Sequence, residues 1–334
     1  MRVASWRHDP HARPLVLFVL TIAVLAAFDG GQGTLLTVAT ARSTLETFSD
    51  TGLVALGLGL TMMMREFDLS VVGVFSAAGC IAVLTGNADP WIGLSLALAL
   101  GLFAGLLQGW LIVRLRLGSI GVTLGGMLVL SGLAYVLSED RSLPYNNMNV
   151  ALALTQPIAG VFSIRSVLTL AFFFIAALMV GMTRLGRDLI AIGSDRRAAA
   201  IAGVNVDAII VGVFAFSGLT AALAGTLVSY SLASASPAGL SDVIVPAATA
   251  AILGGVSLSG GTGRPLGIAI GGLILGVLHA GFNVLGTPPY VEQIAMGAVL
   301  LAVAVADGPL LLRRVRMAQR LVNLRVMSGE RRNG

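Results

Sequence analysis

Trp91-Ile-Gly-Leu-Ser-Leu-Ala-Leu-Ala-Leu-Gly-Leu-Phe-Ala-Gly-Leu-Leu-Gln-Gly-Trp-Leu-Ile-Val113 carries no charge over its whole length, and its only polar side chains are Ser95 and Gln108. As an α-helix at about 1.5 Å per residue it is long enough to cross about 30 Å of hydrocarbon. A membrane β-barrel needs short segments of alternating polarity, about ten residues each, so this stretch excludes a barrel. Arg114 and Arg116 stop it on one side and Asn87-Ala-Asp-Pro90 on the other.

Similar runs stand on both sides of it. Upstream are Leu15–Phe28, Thr51–Met64 (with an expected start several residues earlier) and Val71–Gly86; Asp29–Arg42 reads as a loop. Downstream are Ser119–Ser138, Ser166–Thr183, Asp207–Leu232, Ser241–Leu258 (interrupted by Pro246), Leu266–Gly281 and Val291–Ala306. Glu139–Arg165 is polar and loop-like, and Ser259–Pro265 is a tight glycine-rich connection. A basic tail followed by the short run Leu15–Phe28 has the outline of a signal peptide, but the many spans behind it favour an uncleaved first helix. The expected fold is therefore all-α: a polytopic membrane protein of about ten transmembrane helices, in keeping with 56% hydrophobic and 11% charged residues among 334. The expected organisation is a cytoplasmic tail at 1–14, a transmembrane domain at 15–308 and a basic cytoplasmic tail at 309–334.

All 21 basic residues are arginine. Without lysine the chain can carry neither a Walker A phosphate loop nor a Schiff-base lysine. The histidines are His8, His11 and His279 and the lone cysteine is Cys80, so no metal-ligand spacing, no Ser-His-Asp set and no intrachain disulfide can be assembled. No enzyme activity, cofactor or metal is expected. A net charge of +5 would suit nucleic acid, but the placement of the arginines argues for topology instead. With ten spans, 18 of them fall on one side and only Arg42, Arg141 and Arg165 on the other, which predicts both termini in the cytoplasm and no nucleic-acid partner.

Five spans per half would make the halves inverted relative to each other. Gly105-Leu-Leu-Gln-Gly109 with Gly126-Met-Leu-Val-Leu130 echoes Gly276-Val-Leu-His-Ala280 with Gly297-Ala-Val-Leu-Leu301, although composition alone can produce such likeness. Small residues at Gly101-Leu-Phe-Ala-Gly105 and Gly267-Ile-Ala-Ile-Gly271 are placed for close helix approach.

The longest polar interruption with helical potential is Thr183–Asn205. It carries Arg184, Arg187, Arg196 and Arg197, and Gly193 and Gly203 bracket the run Ala198–Ala202, with Ser194 and Asp195 placed to cap it. It reads either as a surface helix that touches a partner or as a charged loop that sets topology. Asp68 is either an intramembrane carboxylate or part of a turn formed by Arg65-Glu66-Phe67-Asp68. Ser70, Gln108, His279 and Asn283 complete the candidate translocation path, each equally able to bond between helices.

Several segments together resemble the permease subunits of bacterial ABC importers of the ribose/xylose/galactose family. Phe67-Asp-Leu-Ser-Val-Val-Gly73 is similar to the family's signature, and Gly186-Arg-Asp-Leu-Ile-Ala-Ile-Gly193 followed by Ala198–Val206 resembles its cytoplasmic coupling segment. Ser217–Gly225, Ala251–Gly263 and Gly281–Tyr290 look alike as well. Arg65-Glu66 departs from the glycines the family usually has there, Val72 adds a residue before Gly73, and Ser119–Gly125 lacks a usual proline pair. These departures lie in the first half, nearer the expected substrate path.

The resemblance implies a channel-forming subunit that pairs with a second permease copy or a paralogue in the bacterial inner membrane. ABC ATPase subunits would dock on residues 184–206, chiefly Gly186, Arg187, Ala191, Gly193, Arg196, Arg197, Ala198, Ala199 and Gly203. An extracytoplasmic substrate-binding protein would deliver a monosaccharide or similar solute. Related permeases carry branched-chain amino acids, nucleosides or a furanosyl signalling molecule. The alternative from another class is an ion- or proton-coupled secondary transporter with Asp68 as its coupling carboxylate.

Overall fold

The computed structural model describes residues 12–29, 33, 35–238 and 243–301. The tails expected at 1–14 and 309–334 lie almost wholly outside these residues, as do the start of the span expected at Ser241 and the end of the one expected at Ala306. The described chain is mostly helical: α1 (Ala12–Phe28), α2 (Val38–Met63), α3 (Val71–Gly86), α4 (Pro90–Leu115), α5 (Ser119–Ser138), α6 (Met148–Thr155), α7 (Ile164–Met182), α8 (Arg184–Ser194), α9 (Arg196–Ile201), α10 (Val206–Ser231), α11 (Ile244–Leu253) and α12 (Pro265–Val284). A further apolar helix, α13 (Pro289–Leu301), belongs to a separate compact unit. Helices α4, α5, α7, α10 and α12 are long and apolar enough to cross a membrane, and α1, α3, α11 and α13 are shorter apolar helices.

Helix α2 has the length of a span but begins 13 residues before the apolar run at Thr51. Thr37 caps it by accepting from the Thr40 amide, so a segment that looked loop-like is helical and carries Arg42, Glu46 and Asp50 into the bundle. Pro246 does not interrupt α11, because it sits in the first turn, where its missing N–H is not needed. The helix ends instead at Leu253, where Gly254 is followed by Gly255 at φ +88.

The stretch Glu139–Arg165 is not simply a loop either. It holds β1 (Leu143–Pro144), which pairs antiparallel with β2 (Ser234–Ala235), and then α6, which Asn147 caps at the Val150 amide. Tyr145 is buried there and stacks on Tyr230 with ring centroids 4.5 Å apart.

Helix α10 lies at the centre, against α4, α3 and α2; α2 also packs on α12 and α11. Glycine lets these backbones touch. A Cβ at Gly101 or Gly105 would fall inside contact distance of the Gly218 and Phe214 carbonyl oxygens on α10, and one at Gly267 or Gly271 would meet the carbonyls of Gly254 and Ala250. Both small-residue motifs therefore serve close packing, which in lipid replaces the hydrophobic drive between helices.

Candidate functional site: a backbone junction at one end of the bundle

The polar segment 183–205 folds as two short helices with a corner at Asp195. Thr183 ends α7 and caps α8 at the Leu185 amide; Asp195 ends α8 and caps α9 by accepting from Arg197 N at 2.9 Å and Ala198 N at 3.0 Å. Those amide bonds, with the nearby Arg65 and Arg197 charges, hold the Asp195 carboxyl below the usual aspartate range. Gly203, at φ +87, follows the end of α9.

Gly193 does not bracket α9; it lies inside α8, and a Cβ there would strike the Met63 carbonyl and the Gly261 amide. Gly261 N donates to that same Met63 carbonyl at 2.9 Å. The C-terminus of α2, the C-terminus of α8 and the glycine loop between α11 and α12 thus meet backbone to backbone. Gly186 similarly admits the Val180 carbonyl where α7 turns into α8.

Side chains reinforce the junction. Arg65 Nε donates to the Ser259 carbonyl and Arg65 Nη2 to the Ser194 carbonyl at 3.0 Å; Arg196 Nη1 lies 3.1 Å from Glu66 Oε1. Arg65 itself is in the left-handed region at φ +64, which costs a non-glycine residue about 1–2 kcal/mol. Arg65 and Glu66 therefore face the polar segment and the α11–α12 loop.

Among the other residues of this segment, Gly186, Gly193 and Ala199 are buried and Ala191 is half-buried, while Arg187, Arg196, Arg197, Ala198 and Gly203 are exposed. Exposed beside them are two large apolar side chains, Ile190 and Ile201, the latter 88% exposed. A reading by charge singles out neither of them.

The five path candidates fall in three places. Asp68 and Ser70 lie in the connection between α2 and α3, both 1% exposed. Asp68 Oδ1 accepts from Ser70 N at 3.0 Å and Ser70 Oγ at 2.6 Å, and its Oδ2 accepts from Ser217 Oγ of α10 at 2.7 Å. Gln108 of α4 is buried against Gly126 of α5. His279 Nε2 and Asn283 Nδ2 lie 3.0 Å apart, one turn from each other on α12.

A second polar cluster was not singled out in the sequence. Arg165, at the start of α7, pairs with Glu46 and, at 2.9 Å, with Asp50, and donates to Ser231 Oγ of α10 at 2.6 Å. Glu46 and Asp50 are one helical turn apart on α2, the spacing that presents both to one neighbour. That spacing was the available signal. Among the described residues, no group of His, Cys, Asp or Glu is placed to hold a metal. A cavity of about 540 Å³ lies elsewhere, between α1, the start of α2 and Val277, and is lined mainly by apolar side chains.

This arrangement joins an exposed helix pair to α2 and to the α11–α12 loop by backbone contact and hydrogen bonds. Residues 40–304 match the family model described as the permease component of branched-chain amino acid transport systems. The chain belongs to this permease family. The permease is 32% identical over 271 residues to the L-arabinose transport system permease protein AraH of Escherichia coli K12, covering 78% of this chain and 79% of that protein. It is 30% identical over 306 residues to the ribose import permease protein RbsC of the same strain, covering 89% and 93%. The fructose import permease protein FrcC of Rhizobium meliloti is 27% identical over 308 residues, covering 89% and 85%. The match takes in the permease's α2 to α13 and, with them, the whole α8–α9 corner.

Proposed function

We propose that the permease is the transmembrane subunit of an ATP-binding-cassette importer for a monosaccharide or related small polar solute. The observation that carries this reading is the likeness, across more than three quarters of the chain, to permeases of arabinose and ribose transport. The α8–α9 corner is the docking site for a separate ATPase subunit: it is exposed, basic, tipped by Ile190 and Ile201, and joined to α2 by backbone contact at Gly193. ATP binding moves the docked ATPases, α8–α9 follow, and the attached helices alternate the opening of the path between the two sides.

The chain crosses the bacterial inner membrane ten times in two inverted five-helix halves, with both termini in the cytoplasm. Two features support this orientation. Arg65, Arg116, Arg196 and Arg264 all sit at the end of the bundle where α2 finishes, and Arg42 and Arg165 sit towards the end where α2 begins. A second permease copy or paralogue completes the path, and an extracytoplasmic binding protein supplies the solute. Asp68, its oxygens taken up by Ser70 and Ser217, serves to tie the α2–α3 connection to α10, and this weakens the ion-coupled alternative.

The test is purification of the tagged permease from its native membrane with identification of the associated subunits, followed by uptake of labelled D-ribose, L-arabinose and D-fructose into reconstituted vesicles. An ATPase subunit and a binding protein should co-purify, and uptake of one of the sugars should require both. Uptake that persists without the ATPase would replace this reading with a secondary transporter.

A further inference from the structure

Arg65 occupies a backbone position that suits glycine. Its φ of +64 is disfavoured for any residue with a Cβ. An arginine held in such a conformation needs a compensating interaction, and its side chain shows one. The stem crosses Gly260, itself at φ +70, where any Cβ would collide with Arg65 Cγ. Beyond that crossing the guanidinium divides its donors between two separate pieces of chain, the Ser259 carbonyl in the α11–α12 loop and the Ser194 carbonyl at the end of α8. The next residue, Glu66, holds Arg196, the first residue of α9.

From this geometry we infer that Arg65 and Glu66 are positioning residues for energy coupling: they clamp the α8–α9 corner to α2 and to the α11–α12 loop, so that one movement of the corner reaches α2 and α12 together. The inference rests on the docking role proposed for α8–α9 and adds the path by which motion leaves it. Guanidinium geometry matters here, because two carbonyls 65 residues apart in sequence are bridged by nitrogens in a rigid plane. Lysine presents its donors from a single point and lacks the planar fork, so it should hold the two carbonyls less well.

Arg65→Gly separates this role from a general structural one, because glycine relieves the strained φ while deleting the clamp. Two measurements on the same variant are needed. The first is hydrogen exchange on the full-length permease in detergent, without any partner. Residues 191–199 and 257–263 should exchange roughly tenfold faster or more in Arg65→Gly, while the central part of α10 keeps its protection. The second is ATPase activity of the permease complex purified with its own ATPase subunit, with and without the co-purified binding protein. Arg65→Gly should assemble normally and lose most of the binding-protein stimulation, and Arg65→Lys should recover only part. Glu66→Arg and Arg196→Glu should each weaken stimulation, and the two together should restore it.

Unchanged exchange at both segments in Arg65→Gly overturns the clamp. Faster exchange with full stimulation overturns the coupling role and leaves the importer reading in place. A wild-type permease that brings down no ATPase overturns the importer reading and the coupling role with it, and the exchange result then stands as local architecture alone.

Discussion

Replacing Arg165 with methionine should destabilise the permease by about 3 kcal/mol, since breaking a buried ion pair by removing one partner costs about 3–5 kcal/mol. Arg165 is 7% exposed at its side chain, and methionine keeps much of the apolar stem while removing the charge. What remains is Glu46 and Asp50, two like charges one turn apart on α2, without the guanidinium that pairs with both. Their side chains are 23% and 34% exposed, so they are less enclosed than the arginine and the lower end of that range applies. Ser231 also loses its donor, which adds little because its hydroxyl bonds to the Val228 carbonyl. About 3 kcal/mol is more than a hundredfold in the folding equilibrium, measurable as a lowered unfolding midpoint in mixed micelles or as faster proteolysis. The double-mutant logic sharpens the test. Glu46→Gln and Asp50→Asn added to Arg165→Met should regain most of the loss, because neutral side chains no longer need the cation. A single Arg165→Met that shifts stability by less than about 0.5 kcal/mol, in the range of an exposed surface pair, would show that the cluster is hydrated and contributes nothing. So would a triple variant no better than the single one.

Gly193→Val should insert and fold its core normally but lift α8 from α2, because both groups its Cβ meets are backbone and cannot yield; limited proteolysis within residues 184–201 should speed up. Gly203→Ala should do far less, at about 1 kcal/mol of strain, since the space around that glycine is open and only its φ is demanding. Asp68→Ala should lower stability by about 3 kcal/mol by stranding three buried donors, and Asp68→Asn by about 1 kcal/mol because an amide can rearrange with Ser217, both read as unfolding midpoints. Asp195 supplies a pH dependence. Its folded carboxyl titrates below the unfolded one, so its capping contribution is complete above about pH 4 and is lost as pH falls through the lowered value. Protection factors of the α9 amides should drop over that range, and in Asp195→Ala they should be low and flat throughout.

The spans that reasoning from sequence placed well are those whose fold depends on solvent alone. Helices α4, α5 and α10 begin and end within two residues of their apolar runs, because backbone groups in hydrocarbon must bond within the segment and charged or turn residues mark the exit. The errors lie where a polar residue is answered by a partner far along the chain. Arg42 closes the segment Asp29–Arg42 that reads as loop, yet α2 begins at Val38; Arg42 donates to a carbonyl 113 residues away, and Glu46 one turn on is paired with an arginine 119 residues away. No local pattern reports such distances. The same limit explains why the polar candidates Asp68, Gln108 and His279 did not assemble into one site: Asp68 is bonded by Ser70 and by Ser217, 149 residues away, His279 lies beside Asn283, and Gln108 Oε1 is buried against Gly126 with no hydrogen-bond partner among the described residues.

Glycine shows the complementary limit. Gly193 and Gly203 have equal standing in the sequence, both beside the alanine run of α9, and only the fold separates a glycine required by a carbonyl pressed against it from one required by its own φ. Arg65 and Glu66 invert the case. As departures in the first half of the chain they pointed towards the substrate path, because proximity was judged along the sequence. The C-terminus of α2 instead shares an end of the bundle with residues about 130 and 194 positions later, so a change at 65–66 is felt at the α8–α9 corner and in the α11–α12 loop. A departure from a family pattern at this position therefore falls on contacts that join three segments distant in sequence, at the ends of α2 and α8 and in the α11–α12 loop.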